Sequence, residues 1–158
     1  MSSLNSSSTN SKVARQGSCT LVGAGPGDPE LLTLKAVKAL EAATVLLVDD
    51  LVNESVLKYT SPSARVVFVG KRGGCKSTPQ AFIEKLMINA VQEGETVVRL
   101  KGGDPFIFGR GMEEIEYAQQ FGLETAYIPG ISSSVAAAGY AGIPLTTRGV
   151  SESFWVIT

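Results

Sequence analysis

Glycine and aspartate follow the short apolar segments of this sequence, at the positions where ligand-binding loops would begin. Gly23, Gly70, Gly102 and Gly130 lie at or just past the ends of four segments, and Asp49 follows a fifth. Glycine adopts backbone conformations that other residues avoid and lets a ligand approach the main chain closely. Ligands of open α/β sheets bind beyond the carboxyl ends of the strands. The spacing therefore predicts a binding site at one sheet edge, although loops also contain glycine for purely structural reasons.

The composition excludes several kinds of chemistry. The 158 residues include no histidine, which removes histidine acid–base catalysis and most catalytic zinc sites. Cys19 and Cys75 lack metal-ligand spacing and are expected to be reduced thiols of a cytoplasmic protein, so we predict no metal. The formal net charge of −1 gives no case for nucleic acid or an anionic membrane surface. No apolar run approaches the roughly 20 residues of a membrane helix.

Two glycine-rich stretches come close to nucleotide-binding loops but lack a required residue. Residues 23–28 read Gly-Ala-Gly-Pro-Gly-Asp, where Asp28 replaces the third glycine of a dinucleotide fingerprint and would repel a pyrophosphate. Residues 70–77 approach a phosphate-binding loop, but Cys75 occupies a position that requires glycine. A nicotinamide-dependent enzyme and a P-loop nucleoside triphosphatase are therefore both disfavoured.

Strand and helix patterns alternate along the chain. Apolar, mostly continuous segments typical of parallel strands buried on both faces span residues 20–22, 45–48, 66–69, 96–100 and 125–128. Amphipathic or small-residue stretches predict helices over residues 30–43, 80–93, 112–121 and 132–141. This alternation predicts an α/β fold with an open, mostly parallel sheet flanked by helices.

Local signals predict where the helices begin and which faces they bury. Asp28 and Pro29 are expected to cap and begin the first helix, and Pro79 and Gly94 to bound the second. The third helix has an apolar face formed by Met112, Ile115, Ala118 and Phe121. Its opposite, acidic face is formed by Glu113, Glu114 and Glu116. The small residues of the fourth helix are expected to pack tightly.

Four longer stretches are, taken together, highly specific. They read LVGAGPGDPELLTLKA (21–36), VGKRGG (69–74), VVRLKGGDPFIFGRG (97–111) and PGISSSVAAAGYAGIPLT (129–146). In these stretches the sequence strongly resembles the tetrapyrrole methylase family, from about residue 18 to its last residue. The resemblance implies two-domain methyltransferases with S-adenosylmethionine bound between the domains. This chain corresponds to the amino-terminal portion.

Within the family, the likeness is greatest to members that methylate uroporphyrinogen-III at two carbons. These members form precorrin-2 by way of precorrin-1, for siroheme or cobalamin biosynthesis. The resemblance implies S-adenosylmethionine as the co-substrate and a homodimer when the protein is complete. A sulfonium methyl group needs only an aligned nucleophile, so positioning supplies much of the rate.

Composition and resemblance divide the chain into three parts. Residues 1–16 are rich in serine and asparagine and predict a disordered tail. Lys12 and Arg15 in this tail leave an organelle-targeting role open. Residues 17–150 correspond to the α/β methylase domain, and residues 151–158 to the start of a truncated second domain.

The resemblance also implies roles for individual residues. The expected cofactor-binding residues are Pro26, Gly102, Gly103, Asp104, Ile107, Ser132 and Ser133. Asp49 matches the family's proton acceptor and Lys71 its proton donor. The expected ligands of the substrate carboxylates are Arg72, Lys101, Arg110 and Arg148. Other roles stay open: Asp49 as a helix cap, Lys71 as a carboxylate anchor, and the remaining basic residues as ordinary surface charge.

Two alternative functions remain open. The chain departs from the family's pattern at Asp50, Lys76, Met112 and Thr147. These departures leave room for another methylase of the family, acting on a later corrinoid precursor, on diphthine or on ribosomal RNA. RNA would require a basic face that the composition does not indicate. The other alternative is a truncated, non-catalytic binding module.

Overall fold

A computed structural model describes residues 16–70 and 78–158, which form a five-stranded sheet with helices on both faces. The strands are β1 (Ser18–Gly23), β2 (Val45–Val48), β3 (Arg65–Phe68), β4 (Thr96–Lys101) and β5 (Thr125–Ile128). Their order across the sheet is β3-β2-β4-β1-β5, and every neighbouring pair is parallel. The predicted α/β class and the predicted strands are confirmed. The predicted tail lies outside the described residues except for Gln16.

The helices are α1 (Leu34–Ala42), α2 (Gln80–Gln92), α3 (Gly111–Gln120) and α4 (Ser133–Tyr140). Successive strand residues point to opposite faces, so one core forms against α2 and α3 and the other against α1. Leu21 and Leu47 belong to the first core, and Val22 and Val48 to the second. Covering both faces explains why the strand segments are continuously apolar. No helix in the described part of the chain is both long and apolar enough to cross a membrane.

The first predicted helix is divided into two pieces. Asp28 caps a short 3-10 turn, Pro29–Leu31, by accepting a hydrogen bond from Glu30 N at 2.8 Å. Thr33 then caps α1 by accepting from Ala36 N at 3.1 Å. The prediction of one helix over 30–43 was wrong because two good capping residues lie five positions apart and each starts its own turn.

The second helix agrees closely with the prediction. Pro79 is its N-cap, and Gly94 follows its end with φ +86°, a conformation that favours glycine. The sequence did not predict the 3-10 turn Glu54–Tyr59, which Asn53 caps by accepting from Ser55 N at 3.0 Å. Asn53, and not Asp49, is therefore the capping residue after β2.

The third and fourth helices differ from the prediction. Glu114 was expected to face solvent but is 0% exposed, because its carboxylate pairs with Arg99 and Lys101, which are themselves buried on β4. Met112 and Phe121, expected in the core, are each 50% exposed. Helix α4 buries none of its residues within this chain, so the expected tight packing is absent from the described structure.

The carboxyl ends of the five parallel strands meet at one edge, as the glycine spacing predicted. A methyl group on Gly23 or Gly130 would overlap the Gly103 carbonyl oxygen. Gly103 itself has φ +59°, in the left-handed region. Gly23 and Gly130 are thus required for the strand-end loops to approach one another, which is a structural reason for glycine at these two positions.

Candidate functional site

Three adjoining clefts open along the carboxyl edge of the sheet. The charged cleft, of about 350 Å³, is lined by residues that include Asp49, Gln80, Arg99, Lys101 and Arg110. The serine cleft, of about 450 Å³, is lined by residues that include Gly102, Gly103, Asp104, Ile107, Ser132 and Ser133. The Pro26 cleft, of about 310 Å³, is lined by Pro26, Asp28, Leu31, Ser133, Ala136, Ala137 and Tyr140.

The serine cleft lies between the other two. It shares Ser133 and Ala137 with the Pro26 cleft. It shares Gly102 and Ile107, among others, with the charged cleft. The structure therefore gathers the predicted cofactor residues in two neighbouring clefts, with Pro26 in the smaller one. Asp49 and three basic side chains, Arg99, Lys101 and Arg110, lie in the third cleft, next to them.

Asp104 ties together the loops that follow β4 and β5. Its Oδ1 accepts hydrogen bonds from Phe106 N and from the Tyr127 hydroxyl, both at 2.8 Å. Its Oδ2 lies 2.7 Å from the same hydroxyl and accepts from Gly130 N at 3.0 Å. The side chain is 8% exposed. Both carboxylate oxygens thus accept hydrogen bonds from the protein itself, and Asp104 holds the loops that line the serine cleft in place.

Tyr127 is a site residue that the sequence analysis missed. Its ring stacks on Phe106, with ring centroids 3.9 Å apart and planes 5° apart. Burial, and then the hydrogen bond to Asp104, raise the pKa of Tyr127 to about 12, so the hydroxyl stays a donor even above pH 10. The sequence places a tyrosine near the end of a predicted strand, but no local pattern identifies Asp104 as its hydrogen-bond partner.

A buried carboxylate lies behind the charged cleft. Glu114 Oε1 accepts hydrogen bonds from Gln80 Nε2 at 3.0 Å and from Arg99 Nε and Lys101 Nζ, both at 3.3 Å. Arg99 Nη2 also lies 3.8 Å from Asp49 Oδ1. Asp49 therefore sits at the end of β2 with a cation beside it and with 28% of its side chain exposed to the cleft.

Lys101 is a buried cation and not a rim residue, since only 6% of it is exposed. Burial, and then the charge of Arg99, lower the pKa of Lys101, while Glu114 and Asp49 oppose that shift. Cys19 lies on β1 behind the same cluster. Burial, with a smaller contribution from Glu114, raises the pKa of its thiol to about 12, which makes it a poor nucleophile.

The other predicted substrate ligands fall in different places. Arg110 is exposed at the mouth of the charged cleft, and its Nε donates to Glu113 Oε2 at 2.9 Å. This bond lowers the pKa of Glu113. Arg148 is exposed in the turn closed by Thr147 and Ser151, and it is not among the residues lining the three clefts.

The predicted proton donor Lys71 and the predicted substrate ligand Arg72 lie outside the described residues.

The serine cleft suits a ligand with both polar and apolar parts. Ser133 offers a hydroxyl group, Ile107 offers an apolar surface, and Gly103 leaves the backbone open. The Ser132 hydroxyl also lines the cleft, but it caps α4 by accepting from Ser134 N at 3.2 Å and contacts Ser134 Oγ at 2.8 Å. Together with the Pro26 cleft, the space is within the usual range for a ligand the size of a nucleoside derivative. These residues fit S-adenosylmethionine. Among residues 16–70 and 78–158, no group of three or more metal-ligating side chains comes together.

Comparison with known proteins assigns the family. Residues 18–155 match the Tetrapyrrole (Corrin/Porphyrin) Methylases. A uroporphyrinogen-III C-methyltransferase of Pseudomonas aeruginosa is 57% identical over 142 residues, which are 90% of this chain and 58% of that protein. The chloroplastic S-adenosyl-L-methionine-dependent uroporphyrinogen III methyltransferase of Arabidopsis thaliana is 51% identical over 142 residues, which are 90% of this chain and 38% of that protein.

A solved structure agrees with this assignment. It is uroporphyrin-III C-methyl transferase from Thermus thermophilus in complex with S-adenyl homocysteine, with 44% identity and a TM-score of 0.72. The match covers 87% of this chain and 53% of that one. The chain thus spans less than two thirds of the length of these relatives. By the extent of the match and by its fold, the chain belongs to the tetrapyrrole methylase family.

Proposed function

We propose that this chain forms the S-adenosylmethionine site and the catalytic cleft of a uroporphyrinogen-III C-methyltransferase. The enzyme would convert uroporphyrinogen-III to precorrin-2 by way of precorrin-1, for siroheme or cobalamin. The observation that carries the proposal is the shared wall of the serine and charged clefts at Gly102 and Ile107. A methyl donor bound in the first cleft would lie directly against an acceptor in the second.

The methyl donor would bind in the serine and Pro26 clefts. Asp104 holds the Gly102–Gly103 turn and the Gly130 loop at a fixed separation, which supports a pre-shaped site. The hydroxyl groups of Ser132 and Ser133 would donate hydrogen bonds to the ligand or accept them from it. Ile107 would contact an apolar part of the ligand. S-adenosylmethionine supplies the electrophilic methyl group when it is bound.

The macrocycle would bind in the charged cleft. A ring carbon forms the new carbon–carbon bond as the carbon–sulfur bond breaks, and the electron pair of the broken bond stays on sulfur. The methylated ring then loses a proton, which Asp49 accepts. Lys101 and Arg110 would receive carboxylates of the macrocycle in this cleft, whereas Arg148, which lies outside the three clefts, is proposed as a ligand from the family pattern alone. Lys71 as proton donor and Arg72 as a further ligand remain proposals drawn from the family pattern.

The proposal extends to the state of the whole protein. We infer a homodimer in the cytoplasm, without nucleic-acid or membrane partners and without a metal. Helix α4, which buries no residue within this chain, supports the idea that another domain or subunit covers it. Residues 151–158 would begin a second domain, as the partial coverage of longer relatives supports.

The direct test is methyl transfer in vitro. The chain, and the chain extended by the carboxyl-terminal segment of the Pseudomonas aeruginosa relative, would be incubated with uroporphyrinogen-III and radiolabelled S-adenosylmethionine. We expect the extended protein to give a product with two added methyl groups by mass spectrometry. Asp49→Asn should abolish turnover, whereas Glu116→Gln, which removes one charge from the exposed side of α3, should not.

Either of two results would contradict the proposal and support a different function. If the extended protein binds S-adenosylhomocysteine in calorimetry but methylates only a later corrinoid precursor, it is a different methylase of the family. If neither protein binds S-adenosylhomocysteine nor methylates any acceptor, the chain is a non-catalytic module.

A further inference from the structure

Four charged side chains meet at the carboxyl end of β4. Asp49, Arg99 and Lys101 line the charged cleft, whereas Glu114 is 0% exposed on α3 behind it. Glu114 contacts Arg99 and Lys101 at 3.3 Å, and Arg99 lies 3.8 Å from Asp49. Among the described residues, Glu114 therefore meets the cleft through Arg99 and Lys101, two positions apart on one face of β4, and through the neutral Gln80, which donates to it at 3.0 Å.

Stability alone gives a poor reason for this cluster. Withdrawing charges from water costs free energy that an ion pair recovers only partly, and apolar groups of similar volume often fold as well or better. Glu114 Oε2 is buried and makes no hydrogen bond among the described residues, which adds a further cost. A buried charge cluster that opens on a cleft is typical of a functional site.

We propose that Glu114 is a positioning residue for the macrocycle site: it holds Arg99 beside Asp49 and keeps Lys101 in place as a cation that receives a substrate carboxylate. The inference rests on the proposed function in one respect, namely that the charged cleft receives an anionic macrocycle. Glu114 itself touches no substrate. It acts through the position and the charge of its two partners.

Among the described residues, the charges that act on Lys101 lie on β4, on α3 and in the loop after β2. Arg99 lies beside it on β4, Asp49 follows β2, and Glu114 and Glu113 belong to α3, whereas Gln80 of α2 is neutral. Arg99 lowers the pKa of Lys101, and Glu114 and Asp49 raise it. Removing the charge of Glu114 must therefore lower this pKa further, so that Lys101 loses its proton at a lower pH.

The first experiment titrates Lys101 in the chain labelled with 13C-lysine, by nuclear magnetic resonance. Glu114→Gln keeps the size of the side chain and removes its charge. We expect the Lys101 midpoint to fall by about one pH unit or more, since an opposite charge at this distance usually shifts a pKa by 1–3 units. The matched control is Glu116→Gln, which removes the same charge from the solvent side of α3 and should leave the midpoint unchanged.

The second experiment measures how tightly the same variants bind uroporphyrin III, a stable and fluorescent oxidised macrocycle, as a function of pH. Between the midpoints of the two proteins, Lys101 is charged in the parent and neutral in Glu114→Gln. The variant should bind about tenfold more weakly there, as expected for loss of a charged hydrogen bond. Below both midpoints, Lys101 is charged in both proteins, so the difference in affinity should shrink to the smaller loss that follows from weaker positioning of the two cations.

This dependence of the affinity loss on pH separates the proposal from general structural damage, because a damaged cleft would bind more weakly by the same factor at every pH. An unchanged Lys101 midpoint, or parallel binding curves, would overturn the inference. If Glu114→Gln does not fold, Glu114→Asp takes its place. Glu114→Asp keeps the negative charge but shortens the side chain. The variant should therefore bind the macrocycle more weakly, while the midpoint of the Lys101 titration stays nearly the same. Unchanged macrocycle binding would overturn the inference.

The lysine titration requires neither the macrocycle nor methyl transfer. A protein that shows the expected Lys101 shift but does not methylate uroporphyrinogen-III refutes the proposed function and keeps the charge coupling. A protein that methylates uroporphyrinogen-III but shows no shift refutes the inference alone.

Discussion

Two buried carboxylates lie at the carboxyl edge of this sheet, and they are used in opposite ways. Asp104, at the serine cleft, accepts hydrogen bonds on both oxygens from neutral donors, including Tyr127 and Gly130. Glu114, behind the charged cleft, concentrates its three donors on one oxygen, and two of them are the cations Arg99 and Lys101.

The difference shows how one chemical group can set either shape or charge. Because neutral donors hydrogen-bond to both oxygens of Asp104, they fix the separation of two loops. This suits the binding of a co-substrate in a defined pose. A shared cation instead connects two carboxylates, because Arg99 contacts Glu114 at 3.3 Å and lies 3.8 Å from Asp49. The serine cleft should therefore respond mainly to geometry, and the charged cleft mainly to pH and to charge.

The largest effect on stability should come from removing the carboxylate of Asp104, both of whose oxygens accept hydrogen bonds. Asp104→Ala leaves the Phe106 and Gly130 amides and the Tyr127 hydroxyl without their acceptor. We expect the free energy of unfolding to fall by about 3 kcal/mol, summed over several unsatisfied groups. Chemical denaturation measures it, with Glu116→Ala as the control that should show no measurable change. A loss as small as that of the control would mean that Asp104 does not hold the loops.

A methyl group at Gly130 should have the next largest effect. It would overlap the carbonyl oxygen of Gly103 and the backbone of Gly23, so Gly130→Ala should destabilise the fold by about 1–3 kcal/mol. Gly139→Ala is the matched control, because Gly139 lies within α4 with no atom near the added methyl group. This variant should gain about 0.5–1 kcal/mol from better helix propensity. Equal effects of the two changes in thermal denaturation would contradict the close approach of the loops.

Removing the Tyr127 hydroxyl tests how much a single donor to the Asp104 carboxylate contributes to stability. Tyr127→Phe keeps the ring that stacks on Phe106 and loses the donor to Asp104, so it should cost about 1 kcal/mol. In the parent, the raised pKa keeps Tyr127 protonated beyond pH 10, and its contribution to stability is lost as the pH rises from 10 towards 12. Ultraviolet titration should show a phenol ionising near 12 that disappears in the variant. If the phenol that Tyr127→Phe removes from the titration ionised near 10 in the parent, the result would contradict the bond.

The smallest expected effect is that of salt concentration on pKa values, which should differ between an exposed ion pair and a buried one. Arg110 lowers the pKa of Glu113 at the protein surface, where salt screens the attraction. Raising the salt concentration should therefore raise the pKa of Glu113 towards its ordinary value. The Lys101 titration should move less, because Glu114 and Arg99 are buried. Carboxyl and lysine resonances followed at low and high salt measure both, and equal shifts would remove the distinction.

The sequence predicted the sheet and the edge that carries the clefts for definite physical reasons. Buried parallel strands are continuously apolar, and their carboxyl ends must meet at one edge, so the positions of Gly102 and Asp49 followed directly. The burial of Glu114 did not follow, because periodicity assigns charges to the solvent face. Its partners Arg99 and Gln80 come from other elements, 15 and 34 residues away.

The partner of Asp104 could not be predicted for a similar reason. The family motif marked Asp104 as a site residue, but the motif does not reveal that Tyr127, 23 residues later, occupies its carboxylate. The division of the first helix was missed because Asp28 and Thr33 are both good caps and local signals do not rank them. In each case the deciding contact was non-local or was one of two near-equal local choices.

The most direct test of the account is to map where S-adenosylhomocysteine binds. The chain, and the chain carrying the carboxyl-terminal segment of the Pseudomonas aeruginosa relative, would be labelled with 15N and titrated with this ligand. We expect the largest amide shifts at Gly102, Gly103 and Asp104 and at Ser132 and Ser133, in at least the extended protein. Shifts confined to Arg99 and the rest of the charged cleft, or no shifts in either protein, would contradict it.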